Sequence, residues 1–372
     1  MKTARLRELD FLRGIAIILV LFNHHYLFWY TTNMGWIGVD LFFVLSGFFV
    51  SGLLFKEYQK FGNIKPGTFL IRRGFKIYPM YYLFCVIYLM PLILGNKFDS
   101  IKILSELTFC QNYVNGWGYA FGASWSLAVE EHFYFSLAIS LWYIIKKKII
   151  TLDIKESNPG ISPVELMIFS IMIACFLLRI GQNLLFPDLQ SKNFTMTHLR
   201  IDSLLAGVLV SYLFYFRKAY LEEKFKRYKN ISLPIAFLLL TFTPFVEENE
   251  SFFIKTIGFS LVYISFSIIL IHILLTKNIN EKLNSLFGKY TVTFLSRVGV
   301  YSYSIYIVHT LINILLRRLS INLFSDYLKI DPKYIAFPLS VILSIICGKL
   351  MTNYIEKFFL TIRDRYYPNR NI

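Results

Sequence analysis

Phe11-Leu12-Arg13-Gly14-Ile15-Ala16-Ile17-Ile18-Leu19-Val20-Leu21-Phe22-Asn23-His24 opens an apolar stretch that runs on to Tyr30, with an arginine near its start and a histidine eleven positions later. Ionisable groups inside a membrane span are costly, and they mark functional positions by default. At about 100° of turn and about 1.5 Å of rise per residue, this spacing puts Arg13 and His24 on nearly one helix face, roughly 16 Å apart. One face therefore joins an anion anchor to a proton-transfer group.

Composition sets the broad class. The 372 residues are 56% hydrophobic and only 17% charged, with a mean hydropathy of +0.52, which excludes a soluble domain. The expected fold is all-α and polytopic. Ten apolar segments are long enough, or nearly so, to cross a hydrocarbon core of about 30 Å: Phe11–Tyr30, Trp36–Phe55, Phe75–Leu94, Ser124–Ile145, Pro163–Phe186, Ile201–Phe216, Ile231–Val246, Phe252–Thr276, Val298–Leu316 and Tyr334–Tyr354. With the N-terminus inside, most of the 39 lysines and arginines fall in inner segments, so both termini are expected in the cytoplasm. Basic inner loops facing anionic lipid then account for the net charge of +16 without a nucleic-acid partner. Arg13 interrupts the leading apolar run and no small-residue cleavage site follows, so the first span is expected to stay in place. The four cysteines have no paired spacing, and neither a metal site nor a disulfide framework is expected. The chain reads as a single membrane domain over 1–372, with no appended soluble domain.

This topology assigns a depth to each polar residue. His24, Asp40, Glu130, Glu131 and His309, with Asp202 beside Arg200, fall in the outer third of the membrane. Arg13 lies at the cytoplasmic edge with Arg72, Arg73 and Lys76, whose three charges sit within about one helical turn. Such a cluster suits phosphates, arginine by forked hydrogen bonds and lysine as a point charge. Simpler roles compete: the cations as positive-inside determinants, the histidines as helix–helix hydrogen bonds, and Arg200–Asp202 as a structural ion pair at a helix start.

Four ordered segments resemble the acyltransferase-3 family of membrane acyltransferases: Leu9-Asp10-Phe11-Leu12-Arg13-Gly14 with His24, Gly38-Val39-Asp40-Leu41-Phe42-Phe43-Val44-Leu45-Ser46-Gly47, Arg72-Arg73-Gly74-Phe75-Lys76-Ile77-Tyr78-Pro79, and Trp125-Ser126-Leu127-Ala128-Val129-Glu130. Arg200-Ile201-Asp202 and Tyr303-Ser304-Ile305-Tyr306-Ile307-Val308-His309 match more weakly. The resemblance implies a ten-helix enzyme of the bacterial cytoplasmic membrane that moves an acyl group, usually acetyl from acetyl-CoA, to a hydroxyl of an extracytoplasmic or lipid-linked sugar such as an O-antigen unit. It implies His24 as the catalytic group, and Arg13 with Arg73 as parts of two basic motifs. Lys76 stands where the family has a second arginine, which keeps the charge and loses the fork.

Together these readings predict coenzyme A phosphates on Arg13, Arg72, Arg73 and Lys76, and His24 as general base or acyl carrier. Asp40 or Glu130 would orient the His24 ring, with His309, Arg200 and Asp202 in support. The competing class is a transporter or flippase that uses the same intramembrane histidines and carboxylates as a relay. No inverted repeat or pair of broken spans argues for it.

Overall fold

The computed structural model describes residues 6–24, 29–96, 98–152, 160–247, 251–324 and 333–370. All regular structure among them is helical. The main elements are α1 (Arg7–Asn23), α2 (Ile37–Phe61), α3 (Pro66–Leu94), α4 (Ser100–Leu107), α5 (Ser124–Lys147), α6 (Pro163–Leu185), α7 (Ile201–Phe216), α8 (Lys218–Leu240), α9 (Phe259–Leu275), α10 (Lys289–Val300), α11 (Ser302–Phe324), α12 (Lys333–Met351) and α13 (Lys357–Tyr366). Local chemistry sets several ends. Pro163 occupies the first turn of α6, and Ser162 with Glu165 forms a capping box there, at 3.0 and 2.6 Å. Lys148 ends α5 in the left-handed conformation.

Five helical stretches are long and apolar enough to cross a membrane, or up to seven if each of two bent pairs counts as one span. This is fewer than the ten apolar segments of the sequence, for identifiable reasons. The α7–α8 pair bends by 110° at Arg217, and α8 begins at Lys218, so the basic stretch expected to form an inner loop is itself helical. The α10–α11 pair bends by 80° at Tyr301, inside the segment read as the ninth span. Helix α1 has 17 residues and stops at Asn23, seven short of the expected end. Helix α5 is long, yet it carries Glu130, Glu131 and His132 in succession. At the C-terminal end, helix continues past Tyr354 through a π-turn at Thr352–Glu356 and into α13.

Helix α2 is the centre of the bundle, packed against α1, α5, α7 and α9. Its tightest crossing is with α7, where Gly47 and Gly207 face each other. A Cβ on Gly47 would lie 1.9 Å from the Leu204 carbonyl oxygen, and one on Gly207 would lie 2.0 Å from that of Val44. A second crossing joins α1 to α10 in the same way, with Gly14 against Leu295 and Gly299 against Asp10. Helices in lipid gain little from excluding water, so association relies on close backbone contact, which only a hydrogen side chain permits here. Gly14 and Gly47 are the glycines of the Leu-Arg-Gly and Leu-Ser-Gly motifs, so each motif carries a packing residue beside its polar one.

We expect Gly207→Ala to force α2 and α7 apart and to destabilise the protein by about 1–3 kcal/mol, the usual cost of overpacking. Gly122→Ala, at a position with open space around its Cβ, should be neutral. Thermal unfolding of both variants in detergent checks this; equal midpoints would remove the crossing as a determinant of stability.

Candidate active site

Helix α7 begins with two charges that the sequence suggested as partners of each other, and the structure pairs them elsewhere. The Nη2 of Arg200 donates to both carboxylate oxygens of Asp40 on α2, each at 2.9 Å, and the Ser203 hydroxyl adds a third bond at 3.0 Å. Asp202 forms an ion pair with Arg179 of α6, whose Nη1 lies 2.9 Å from its carboxylate. Arg179 also donates to the Leu199 carbonyl and to Ser260. All four charged side chains are fully buried. The Arg200 guanidinium lies 3.5 Å from the Phe259 ring centroid and 5.0 Å from that of Phe194, with Trp125 and Phe43 further out. Asp40, one of the two carboxylates expected to orient His24, therefore spends its oxygens on Arg200 and Ser203. Its place is in an ion pair that ties α2 to α7, because a carboxylate this deeply buried needs an opposite charge in contact.

A cavity of about 570 Å³ opens between α1, α2, α3, α5 and the start of α11. Four cations line it, Arg13, Lys56, Arg73 and Lys76, together with the carboxylates of Asp10 and Glu130 and the hydroxyl-bearing residues Ser46, Ser126, Tyr134, Ser302, Tyr303 and Tyr306. Arg13 Nη2 donates to the Ser302 hydroxyl at 3.0 Å, which reaches the first residue after the α10–α11 bend. Glu130 accepts from the Tyr134 hydroxyl at 2.8 Å, and Ser46 lies 2.6 Å from that same hydroxyl. Arg73 makes no ion pair or hydrogen bond among the described residues; its guanidinium lies over the rings of Tyr134 and Phe69, at 5.5 and 5.7 Å. Glu130 thus belongs to the basic cavity, within electrostatic reach of Arg73 and Arg13. Counting residues along a straight span had put it at the depth of His24. Its neighbour Glu131 accepts from the Tyr78 hydroxyl at 3.0 Å.

His24 caps the far end of α1, on the surface. Its ring packs on that of His309 from α11, with centroids 5.0 Å apart. His309 is fully buried, and its Nδ1 lies 2.6 Å from the Tyr306 carbonyl oxygen. A carbonyl only accepts, so Nδ1 carries a proton, and Nε2 is the nitrogen left to exchange one. Tyr306 links the two regions. Its ring stands 5.6 Å from His309, while its hydroxyl lines the basic cavity, 2.6 Å from Ser126 and 3.0 Å from the Ala123 carbonyl. Helix α1 spans the same distance from the other side, with Arg13 in the cavity and His24 at the histidine pair. Of the residues singled out in the sequence, Arg13, Arg73, Lys76 and Glu130 meet in one cavity and His24 meets His309. Asp40, Arg200 and Asp202 form the buried ion pairs. Arg72 faces a smaller neighbouring cavity, and its guanidinium is 3.1 Å from Asp364.

Some positions escaped sequence reading. Arg179 lies within the apolar segment Pro163–Phe186, and nothing local links it to Asp202. Tyr306 and Ser126 sit inside quoted motifs, but hydroxyls are common in such spans. Glu106, in the short helix α4, accepts the backbone N–H groups of Tyr119 and Ala120 at 2.7 and 3.2 Å and so pins the strandless connection before α5. Burial pushes its carboxyl above the ordinary range.

A family model described as an acyltransferase domain matches residues 6–350. A chain of Staphylococcus aureus (strain MRSA252), provisionally named an O-acetyltransferase, is 26% identical over 386 residues, covering 97% of this chain and 59% of its own length. The peptidoglycan O-acetyltransferase OatA of Listeria monocytogenes serovar 1/2a is 25% identical over 323 residues, covering 81% of this chain and 48% of its own. The O-acetyltransferase OatA of Staphylococcus aureus (strain NCTC 8325) is 26% identical, with 81% and 49% covered. The chain thus spans between about half and three fifths of these relatives' lengths. No solved structure matches it.

Arg200→Met leaves Asp40 buried without its counter-charge and should cost about 3–5 kcal/mol of stability. The double variant Asp40→Leu/Arg200→Met should recover most of that loss. Thermal unfolding in detergent distinguishes the cases, and a single variant as stable as the parent would show that the pair does not hold α2 to α7.

Proposed function

The chain belongs to the acyltransferase-3 family of membrane acyltransferases, and on that premise we propose that it moves an acetyl group from acetyl-CoA to a hydroxyl of a cell-surface glycan or its lipid-linked precursor. In this reading the apolar segments cross the bacterial cytoplasmic membrane about ten times, with both termini inside. The donor enters the basic cavity from the cytoplasmic edge and never crosses the bilayer. The observation that carries the proposal is a cavity lined by four cations and two carboxylates, with Arg73 in no ion pair among the described residues, whose lining residue Tyr306 packs on His309 and so adjoins the His309–His24 pair. A partly enclosed cleft in which cations outnumber carboxylates draws anions. A long, narrow ligand with phosphates at one end and a thioester at the other fits the separation of charge from imidazole, roughly 16 Å along α1.

Chemistry follows from the histidine pair. A neutral imidazole takes the proton of the acceptor hydroxyl as its oxygen attacks the thioester carbonyl. The carbon–sulfur bond then breaks, and the departing thiolate takes the proton back from the imidazolium, giving an ester and free thiol. His24, at the surface end of the pair, is the base. His309, whose Nδ1 is held by the Tyr306 carbonyl, has its Nε2 left beside it to exchange a proton. Arg13, Arg73 and Lys76 hold the donor, and Glu130 with Tyr134 and Ser46 sets the charge and shape of the cavity wall. A glycan acceptor is supported by the name of the Listeria relative, a peptidoglycan O-acetyltransferase.

Isolated membranes supplied with labelled acetyl-CoA and either peptidoglycan precursors or O-antigen units test the reading. Incorporation of label should fall by at least about a hundredfold in His24→Ala, the scale of a lost general base. His309→Ala should reduce it as well, while Arg73→Ala should act mainly by raising the KM for acetyl-CoA. Unaltered incorporation in His24→Ala would sink the mechanism.

A further inference from the structure

The last stretch of described chain is held differently from the rest. Up to Glu356 it is anchored in the bundle: Thr352 and Glu356 are buried, and both reach Ser304 of α11, at 2.8 and 3.4 Å. The π-turn Thr352–Glu356 leads directly into α13, and no residue of that helix is buried. What holds residues 357–370 is mostly polar and close to the surface. Arg72 of α3 pairs with Asp364 at 3.1 Å, although the Asp364 side chain is 56% exposed, and it donates to the Tyr367 carbonyl. Asp364 is shared with its neighbour Arg363, and the Tyr367 ring stands 5.9 Å from that of Phe75. Past α13, Arg370 reaches Glu57 of α2 and Asn63 just beyond that helix, each at 3.0 Å, with its guanidinium 4.5 Å from the Phe61 ring centroid.

The segment therefore runs from α3 to α2, and it closes a space between them. That space is a second cavity, of about 230 Å³, walled by Leu53 and Glu57 of α2, by residues of α3 that include Thr68, and by Arg363 and Arg370 of the segment. Leu53, Arg73 and Lys76 line the main cavity as well, so the two cavities adjoin across these three side chains. Going inward from the surface, the order is segment, second cavity, main cavity.

We propose that residues 357–370 form a latched strap over an entrance to the main cavity, hinged at the π-turn, which lifts to admit and release what that cavity binds. Exposed ion pairs add little stability, and segments with few buried contacts open before the core does. The Ser304 anchor keeps the chain before Lys357 in place, and helices bend readily at a π-turn. The latch has two halves, Asp364 with Arg72 on α3 and Arg370 with Glu57 on α2. Lifting the strap parts both halves and leaves the second cavity flanked by α2 and α3 alone. Motions of this kind set the rate of entry and release in many enzymes. The strap is argued from geometry and holds for any occupant of the main cavity, acetyl-CoA included.

Thiol labelling of the full chain in detergent tests the strap without any substrate. With Cys110 and Cys347 replaced by Ser, Thr68→Cys puts a reporter in the second cavity, and the buried Cys85 and Cys175 remain as internal references. An uncharged, water-soluble maleimide should label the reporter about fivefold faster or more once Asp364→Asn and Glu57→Gln loosen the latch, the combined effect of two weakened ion pairs. The references should stay unlabelled. A reporter that reacts at one rate with the latch intact or broken would overturn the proposal. So would reporter and references quickening together, since that is loosening of the whole bundle. The converse experiment fastens the strap: in the same background, Asn63→Cys/Arg370→Cys joined by a short reducible bis-thiosulfonate should lower acetyl transfer from acetyl-CoA by about tenfold or more, and reduction should restore it. Unchanged transfer in the fastened protein would also overturn the strap. A parent protein inactive toward acetyl-CoA would count against the donor reading alone, and the labelling rates would still decide the strap.

Discussion

Two ion pairs with no exposure to solvent govern the centre of this molecule. Moving a carboxylate or a guanidinium out of water costs several kcal/mol even after relaxation, and only a close opposite charge with further hydrogen bonds offsets it. Arg200 meets that demand with Asp40, Ser203 and the face of Phe259, and Arg179 meets it with Asp202, the Leu199 carbonyl and Ser260. These bonds fix the start of α7 against α2 on one side and α6 on the other. Glu165 and Arg217, 2.6 Å apart, then fix where α7 turns into α8. The position of α2 matters because it forms a wall of the main cavity through Val39, Phe42, Ser46 and Phe49. The ion pairs and the Gly47–Gly207 crossing therefore hold that wall in place.

The site divides its tasks along one helix. Arg13 at one end of α1 faces a cavity whose walls are cationic, and His24 at the other end faces a second imidazole. The bend at Tyr301 lets the chain serve both ends as well: Ser302 meets Arg13 directly after it, and His309 follows two turns later on α11. Tyr306, between them, touches both regions. A straight ninth span would have passed the cavity without offering Ser302 to it.

Partner choice is what residue types alone could not resolve. Asp40 and Glu130 carry the same functional group, and both were placed near His24 by counting along spans. One is neutralised by an arginine 160 positions away, and the other sits over the basic cavity beside Tyr134. Likewise Arg200 and Asp202 are near neighbours in the chain, yet each binds a different helix: Arg200 stands before α7 with non-helical backbone, while Asp202 lies in its first turn.

The amino-acid sequence alone determined the class of the molecule, its family resemblance and the chemical types at its site. Hydropathy reports directly on which segments avoid water, and four motifs in order carry Arg13, His24, Asp40, Arg73, Lys76 and Glu130. Only the tertiary structure decided which of these groups meet, where helices bend, and that Arg363 and Arg370 return to Arg73. Helical periodicity acts over a few residues, so it governs faces and ends. The pairings of Arg13 with Ser302, Arg200 with Asp40 and Arg370 with Glu57 join positions 289, 160 and 313 apart. Such contacts depend on which helices cross and at what angle, and that is settled by backbone approach at glycines and by the need of every buried charge for a partner.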